Sequence, residues 1–159
     1  MKTRSLSFTL IICFLFSFAI TLVQAQEDEQ VVVYRQKLMK GHGASMGSIG
    51  DILKFKLPYS ASHIASHAKA LGEYATLIPD AFEKNISEGL TDTKSEAWQN
   101  WDDFVAKAEA LKEASMKLSR LAKDGDMRAI MPGVKGVGDA CKGCHSVYRK
   151  PEEERFERK

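Results

Sequence analysis

The stretch Cys141-Lys142-Gly143-Cys144-His145 lies near the end of this 159-residue chain. Cys-x-x-Cys-His is the pattern by which c-type haem is attached to protein, with two thioether bonds to the porphyrin and an imidazole on the iron. On a helix, Cys141 and Cys144 lie on one face, and His145 follows directly. The pattern therefore predicts covalent haem c on Cys141 and Cys144, with His145 as an axial ligand of the iron.

Two other interpretations of this motif fit less well. A redox-active Cys-x-x-Cys pair is typical of a strand-to-helix junction, and no strand pattern precedes Cys141. A structural zinc site needs four ligands and normally a second Cys or His pair at short spacing, which the neighbouring sequence lacks. Haem attachment is therefore favoured over both.

The first 25 residues have the character of a secretory signal peptide. Lys2 and Arg4 form a short basic segment, an apolar run from Leu6 to Val23 follows, and Ala25 ends a cleavage site of small residues. The rival interpretation is an uncleaved membrane anchor, since the run approaches the length that crosses a bilayer. We expect cleavage near Ala25 and a mature protein in the periplasm.

Removal of residues 1–25 changes the composition. Without Lys2 and Arg4, 21 basic residues balance 21 acidic ones, which argues against nucleic acid or an anionic membrane as the main partner. Cys13 also leaves, so the remaining cysteines are both in the haem motif. We predict one cytochrome domain over residues 26–150 and a charged tail over residues 151–159.

The mature chain carries helical periodicity in four segments and no sustained strand pattern. The segments are about Gln30–Lys54, Ala61–Leu77, Ser95–Lys123 and Met127–Lys150. Asp80 to Lys94 has the composition of a loop, and Pro132 predicts an irregular start of the fourth helix. The fold class is therefore predicted to be all-α, an antiparallel up-and-down four-helix bundle with covalently attached haem c.

Five sequence markers follow one another along these helices. They are Tyr34–Lys40, Pro58-Tyr59, Glu96–Trp98, Lys123–Asp126 and Cys141–Arg149. In this order, with the haem motif at the C-terminal end, the chain resembles the class II c-type cytochromes, cytochrome c′ and cytochrome c-556. The resemblance covers nearly the whole mature chain, and it implies one haem c with His145 as the proximal ligand.

The resemblance also implies roles for residues outside the motif. Arg35, with Gln36, would lie beside the haem propionates, because a guanidinium group suits a carboxylate. Met39, one turn after Arg35, would face the iron on the distal side. Asp92 matches a haem-edge position more weakly, and Arg149, one turn after His145, would shape the surroundings of the imidazole.

The sixth coordination position divides the family. Ligation by Met39 would give a low-spin haem like that of cytochrome c-556, which suits electron transfer. An empty distal site would give a five-coordinate cytochrome c′ that binds NO or other small gases. His42 is a rival distal ligand, since neutral imidazole binds iron well, whereas His63 and His67 are expected to be an ordinary surface pair. We expect Met39 to be the ligand.

The function predicted from these residues is electron transfer in the periplasm. Its partners would be periplasmic redox donor and acceptor proteins, with no nucleic acid and no membrane contact after signal cleavage, and a homodimer is left open. No phosphate loop or catalytic triad is visible in the sequence. Peroxidase chemistry would need a distal acid–base pair, and His42 has no evident partner for it. We therefore expect no enzyme and no catalytic residue.

Overall fold

Four long helices build the molecule, whose computed structural model describes the backbone of residues 4–155 and the side chains of residues 26–155. The long helices are α1 (Arg4–Leu53), α2 (Ala61–Thr76), α5 (Trp101–Lys123) and α6 (Met127–Tyr148). Two short helices, α3 (Ile78–Phe82) and α4 (Glu96–Gln99), lie between α2 and α5, and a 3-10 turn (Glu152–Glu154) follows α6. The predicted all-α four-helix bundle is confirmed.

The bundle is closed on three of its four sides. α1 packs on α2, α2 on α5, and α5 on α6. Each long helix contributes fully buried aliphatic side chains to the shared core: Ile49, Ile64, Leu71, Leu118 and Ile130. Within the described residues, α1 and α6 make no close backbone contact. The fourth side, between the first and the last helix, is therefore held open.

Local signals explain where two of these helices begin and end. The sequence predicts Ser60 or Ser62 as the cap of α2, and the structure shows that it is Ser60, whose hydroxyl accepts a hydrogen bond from the backbone N–H of His63 at 3.2 Å. Gly125 follows α5 with φ of +76°, a conformation that glycine adopts without steric cost. Both boundaries therefore follow from the residue type at one position.

Three boundaries were predicted wrongly. The expected loop begins later than Asp80, because α3 runs to Phe82; Pro79 lies in the first turn of α3, where its missing N–H costs nothing. The third helix is divided at Asn100, whose φ of −122° and ψ of 51° are not helical. Pro132 lies inside a continuous α6, where it removes only one hydrogen bond while the helix remains packed on α5.

The ends of the chain are described only in part. The predicted signal peptide and its cleavage near Ala25 fall on residues outside the described side chains, and both stay predictions. Where side chains are described, no helix is long and apolar enough to cross a membrane. In the predicted tail, Arg155 Nε donates to the Lys150 carbonyl at 3.0 Å, and residues 156–159 lie outside the described part.

Candidate haem site

A cavity of about 460 Å³ lies on the open side of the bundle, between α1 and α6. Its walls are mainly apolar side chains, among them Phe82, Phe104 and Leu111. The residues that the sequence predicted for the site all line this one cavity: Arg35, Gln36, Met39, Asp92, Cys141, Cys144, His145 and Arg149. The structure therefore brings together groups that lie more than 100 residues apart in the sequence.

The α6 wall carries the haem motif. Both cysteines are free thiols and half-buried. Burial raises the pKa of the Cys141 thiol, and it raises that of Cys144 to about 11 although Lys107 acts in the opposite direction. Burial also lowers the pKa of His145, helped by the positive charges of nearby basic groups, so its imidazole is neutral at pH 7. A neutral imidazole has the ring-nitrogen lone pair that binding to iron requires.

The end of α6 is fixed to its neighbours by several bonds. The Tyr148 hydroxyl donates to Asp103 Oδ2 at 2.5 Å, on α5. Desolvation by burial and this carboxylate raise the pKa of Tyr148 to about 12. Lys94 N–H donates to the Tyr148 carbonyl at 2.9 Å, and Lys150 N–H donates to the Asp92 carbonyl at 2.8 Å. The end of the helix that carries the attachment motif is therefore held by hydrogen bonds to α5 and to the segment before α4.

Asp92, predicted at the haem edge, and Arg149, predicted beside the imidazole of His145, form an ion pair. Arg149 Nη2 lies 3.8 Å from Asp92 Oδ2, and an isolated antiparallel bridge joins Thr93 to Arg149. The Arg149 side chain is 38% exposed and that of Asp92 is 18% exposed, so the pair lies at the rim of the cavity. Sequence analysis considered the two residues separately and missed the pair, which depends on how the loop before α4 folds over the end of α6.

The α1 wall presents its groups at helical spacing. Arg35, Met39, His42 and Met46 follow one another at intervals of four, three and four residues, and all four line the cavity. Met39 and Met46 are partly buried against the core. The wall that faces the haem motif therefore offers thioether and imidazole groups on one stripe of one helix.

His42 is the residue of this wall whose state the sequence did not reveal. It is buried, at 7% exposure, and its Nδ1 lies 3.0 Å from the Leu38 carbonyl. Its Nε2 is buried and has no hydrogen-bond partner among the described residues. Burial lowers the pKa of His42 in spite of the Leu38 carbonyl, so the ring is neutral at pH 7. The only signal in the sequence was its position three residues after Met39.

Arg35 has a structural role that sequence analysis missed. Its Nε donates to the Ala81 carbonyl at 2.8 Å, Nη1 to the Ile86 carbonyl at 3.2 Å, and Nη2 to the Lys84 carbonyl. The guanidinium carbon lies 4.7 Å from the centre of the Phe82 ring. Burial lowers the pKa of Arg35 to about 10, which leaves the group charged at pH 7.

These bonds leave part of the guanidinium available. They take one N–H from each nitrogen, so two of the five N–H groups remain for another acceptor. Beside Arg35, Gln36 Nε2 donates to the Leu90 carbonyl at 3.0 Å. The predicted contact of both residues with haem propionates stays a prediction, and the structure adds that Arg35 ties α1 to the segment that follows α3.

The donor groups around the cavity fit a haem c. Two thiols lie one turn apart beside a neutral histidine, a thioether faces them from α1, and basic side chains stand at the edges. The buried Nε2 of His42 is a polar atom that the described protein groups leave unsatisfied. His63 and His67, in contrast, lie on α2 outside the cavity lining, and within the described chain no three His, Cys, Asp or Glu side chains form a metal-binding group.

Comparison with known proteins gives a consistent result. A family model described as "Cytochrome C'" matches residues 30–149. A cytochrome c′ of Pararhodospirillum photometricum is 32% identical over 123 residues, covering 77% of this chain and 98% of that protein. A cytochrome c-556 of Agrobacterium tumefaciens is 31% identical over 116 residues, covering 72% and 93%.

Solved structures agree with these relatives. Cytochrome c prime from Shewanella frigidimarina superposes with a TM-score of 0.72 at 27% identity, covering 78% of this chain and 97% of that one. A ferrous variant of cytochrome c prime from Alcaligenes xylosoxidans with bound NO gives a TM-score of 0.69 at 30% identity, covering 79% and 97%. Sequence and fold therefore lead to the same group of proteins.

Proposed function

We propose that this chain, which belongs to the cytochrome c′ family of class II c-type cytochromes, is an electron-transfer protein. His145 and Met39 would be the two protein ligands of its iron. Proteins of this family bind one covalent haem c, and the chain has the Cys-x-x-Cys-His motif that attaches it. When bound, the haem supplies a one-electron iron couple, while the protein supplies attachment, orientation and electrostatics.

The observation that carries this proposal is the pairing of Met39 with His145 across one cavity. Met39 lies on α1 and His145 on α6, and both line the cavity between these helices, which make no close backbone contact in the described part of the chain. A thioether ligand stabilises reduced iron and raises the potential, which suits a protein that is reduced and reoxidised in turn. An apolar lining adds to this effect, because it disfavours the extra charge of the oxidised state.

The remaining groups of the cavity favour electron transfer over catalysis. Acid–base catalysis at the distal side would need a side chain that can exchange a proton with a bound substrate. His42 is the imidazole on the α1 wall, and among the described residues no acidic side chain is hydrogen-bonded to either of its ring nitrogens to complete an acid–base pair. We therefore propose no enzymatic reaction.

The proposed function implies a compartment and a class of partner proteins. We propose that it is exported to the periplasm with cleavage of residues 1–25, and that its partners are redox donor and acceptor proteins. Lys40 and Lys107 line the cavity together with Arg149, which favours partners with an acidic surface. A homodimer is compatible with the family, in which a cytochrome c′ with ligand-controlled dimer dissociation has been solved.

A five-coordinate, gas-binding protein is the second candidate. It is favoured by the similarity to a cytochrome c prime solved with bound NO. In that case Met39 would pack beside the iron without binding it, and the distal part of the cavity would be left to small ligands.

The absorption spectrum of the holoprotein separates the two candidates. His/Met ligation predicts sharp α and β bands after reduction, a weak sulfur-to-iron band at the red end of the ferric spectrum, and no immediate change with CO. Met39→Leu should abolish the red band, whereas Met46→Leu, a matched change two turns further along the same wall, should keep it. A broad high-spin spectrum that shifts at once with CO would instead establish the gas-binding candidate.

A further inference from the structure

His42 lines the cavity, and its Nε2 is a buried nitrogen that no described group of the protein satisfies. A buried polar atom without a partner lowers the stability of the fold unless something binds it. The rest of the side chain is well fixed, since the residue is 7% exposed and its ring lies 5.7 Å from the ring of Tyr74 on α2. The open nitrogen is therefore a stable feature of the α1 wall.

The hydrogen bond at the other ring nitrogen determines the chemistry of Nε2. A backbone carbonyl can only accept, so the 3.0 Å contact between Nδ1 and the Leu38 carbonyl places the proton on Nδ1. In a neutral ring, Nε2 then carries a lone pair and no hydrogen. It can accept a hydrogen bond or bind a metal, and it cannot donate to a bound gas molecule. Donation of the second ring N–H to a carbonyl is also the usual arrangement of a metal-binding histidine.

The position of His42 suits the same metal as Met39. The two residues are three apart on α1 and both line the cavity opposite His145. Two imidazoles therefore face one cavity from opposite walls.

We propose that His42 is a second axial ligand of this site, whose Nε2 binds the iron whenever Met39 does not. Loss or displacement of the thioether would then give a bis-histidine site instead of an open one. This inference rests on the proposed function, in which protein ligands close the distal side. No proton moves in the exchange, because Nδ1 keeps its hydrogen bond to the Leu38 carbonyl and Nε2 already bears its lone pair.

The test is the Met39→Ala holoprotein compared with Met39→Ala/His42→Ala. With His42 as ligand, the single variant stays low-spin in the ferric state, shows the electron paramagnetic resonance signal of bis-histidine haem, and has a lowered reduction potential. The double variant becomes high-spin and binds CO at once. We expect CO to bind the single variant at least about tenfold more slowly, because the site is open only when His42 dissociates.

Matched variants keep this comparison interpretable. Met39→Ala/His63→Ala removes an exposed histidine of α2 and should behave like Met39→Ala alone. Added imidazole should restore the low-spin spectrum of the Met39→Ala/His42→Ala protein, which shows that its fold is intact. Where Met39→Ala is poorly folded, Met39→Leu retains the apolar volume and gives the same readout.

The outcomes for His42 and for the proposed function are distinct. A high-spin Met39→Ala protein that binds CO as fast as the double variant would overturn the role of His42 and leave His/Met ligation intact. A low-spin wild type without the red sulfur-to-iron band, and with a bis-histidine signal, would overturn Met39 as ligand while supporting His42. A high-spin wild type would overturn both.

Discussion

The two walls of the cavity obtain their chemistry in different ways. The α6 wall has its thiols and its imidazole within five adjacent residues, Cys141 to His145, whereas the α1 wall spreads its groups over three turns from Arg35 to Met46. The α6 wall is also fixed at its end by hydrogen bonds of Tyr148 and Lys150. On the α1 wall, Arg35 is fixed, but the Nε2 of His42 has no partner among the described residues.

This difference has a consequence for function. Because the motif attaches the haem covalently, it also determines which residue is the proximal ligand. Under the two proposals, the thioether of Met39 and the imidazole of His42 would compete for one position on the distal side, and small differences in free energy would decide between them. The α6 wall therefore determines that the protein carries a haem, and the α1 wall determines how the haem behaves.

The largest expected effect is on attachment. Cys141→Ala combined with Cys144→Ala removes both thiols of the motif, so haem should be lost completely from the denatured chain. Haem staining after denaturing electrophoresis measures this. Lys142→Ala lies between the two cysteines and should leave the stained band unchanged. A stained band in the double-cysteine variant would show attachment through another residue and would contradict the assignment of the α6 wall.

On the α1 wall, the largest effect should follow from Arg35→Met. The change leaves the carbonyls of Ala81, Lys84 and Ile86 without their charged donor and should lower the free energy of unfolding by about 3 kcal/mol. Denaturant unfolding of the holoprotein measures it. Lys37→Met, at an exposed position two residues later on α1, is the control and should change little. Equal stability of the two variants would show that the Arg35 hydrogen bonds do not hold the α3 segment.

The same contrast explains what could be predicted from the sequence. Attachment at Cys141 and Cys144 was evident because the chemistry requires that residue type at that spacing, and Ser60 was evident as a cap for a similar reason. The anchoring role of Arg35 was not evident from the sequence, because its acceptors are backbone carbonyls, which every residue has. The break at Asn100 likewise depends on backbone conformation and packing rather than on a residue signature.

The distal side of the site could be predicted from the sequence only in part. Helical spacing predicted that Met39 and His42 share one side of α1, and the cavity lining confirms this. The spacing could not predict that the Leu38 carbonyl fixes the tautomer of His42, since that depends on the rotamer of the ring. For the α1 wall, the sequence therefore predicts which residue types face the cavity, but not their protonation or side-chain orientation.

A smaller effect is expected for Tyr148→Phe, which removes the hydroxyl donor to Asp103 and should cost about 1 kcal/mol at pH 7. The folded pKa is raised to about 12, so the unfolded chain loses this proton first. The wild type should therefore lose stability as the pH rises from about 10 to 12, and the variant should lack this part of the slope. Denaturant unfolding across this range measures both. Tyr34→Phe, at a 47% exposed position, is the control, and the same pH slope in all three proteins would contradict the assignment.

The smallest effect is expected at the rim, where Arg149 pairs with Asp92. The ion pair is long, at 3.8 Å, and Arg149 is 38% exposed, so solvent and salt screen it. Arg149→Gln should cost about 0.5 kcal/mol or less, and the difference from wild type should vanish at high salt. The backbone bonds from Lys94 to Tyr148 and from Lys150 to Asp92 remain in the variant and hold the end of α6 without the charge.

An unchanged haem spectrum in Arg149→Gln would show that the two walls differ in this respect as well. The α6 wall would then rely on covalent attachment and backbone bonds, with Arg149 adding little to the environment of His145. A clear shift of the reduction potential in this variant, with stability nearly unchanged, would mean the reverse. It would assign Arg149 to the tuning of the proximal imidazole, since a positive charge already acts from this residue on the pKa of His145. Control of the haem would then be shared by both walls.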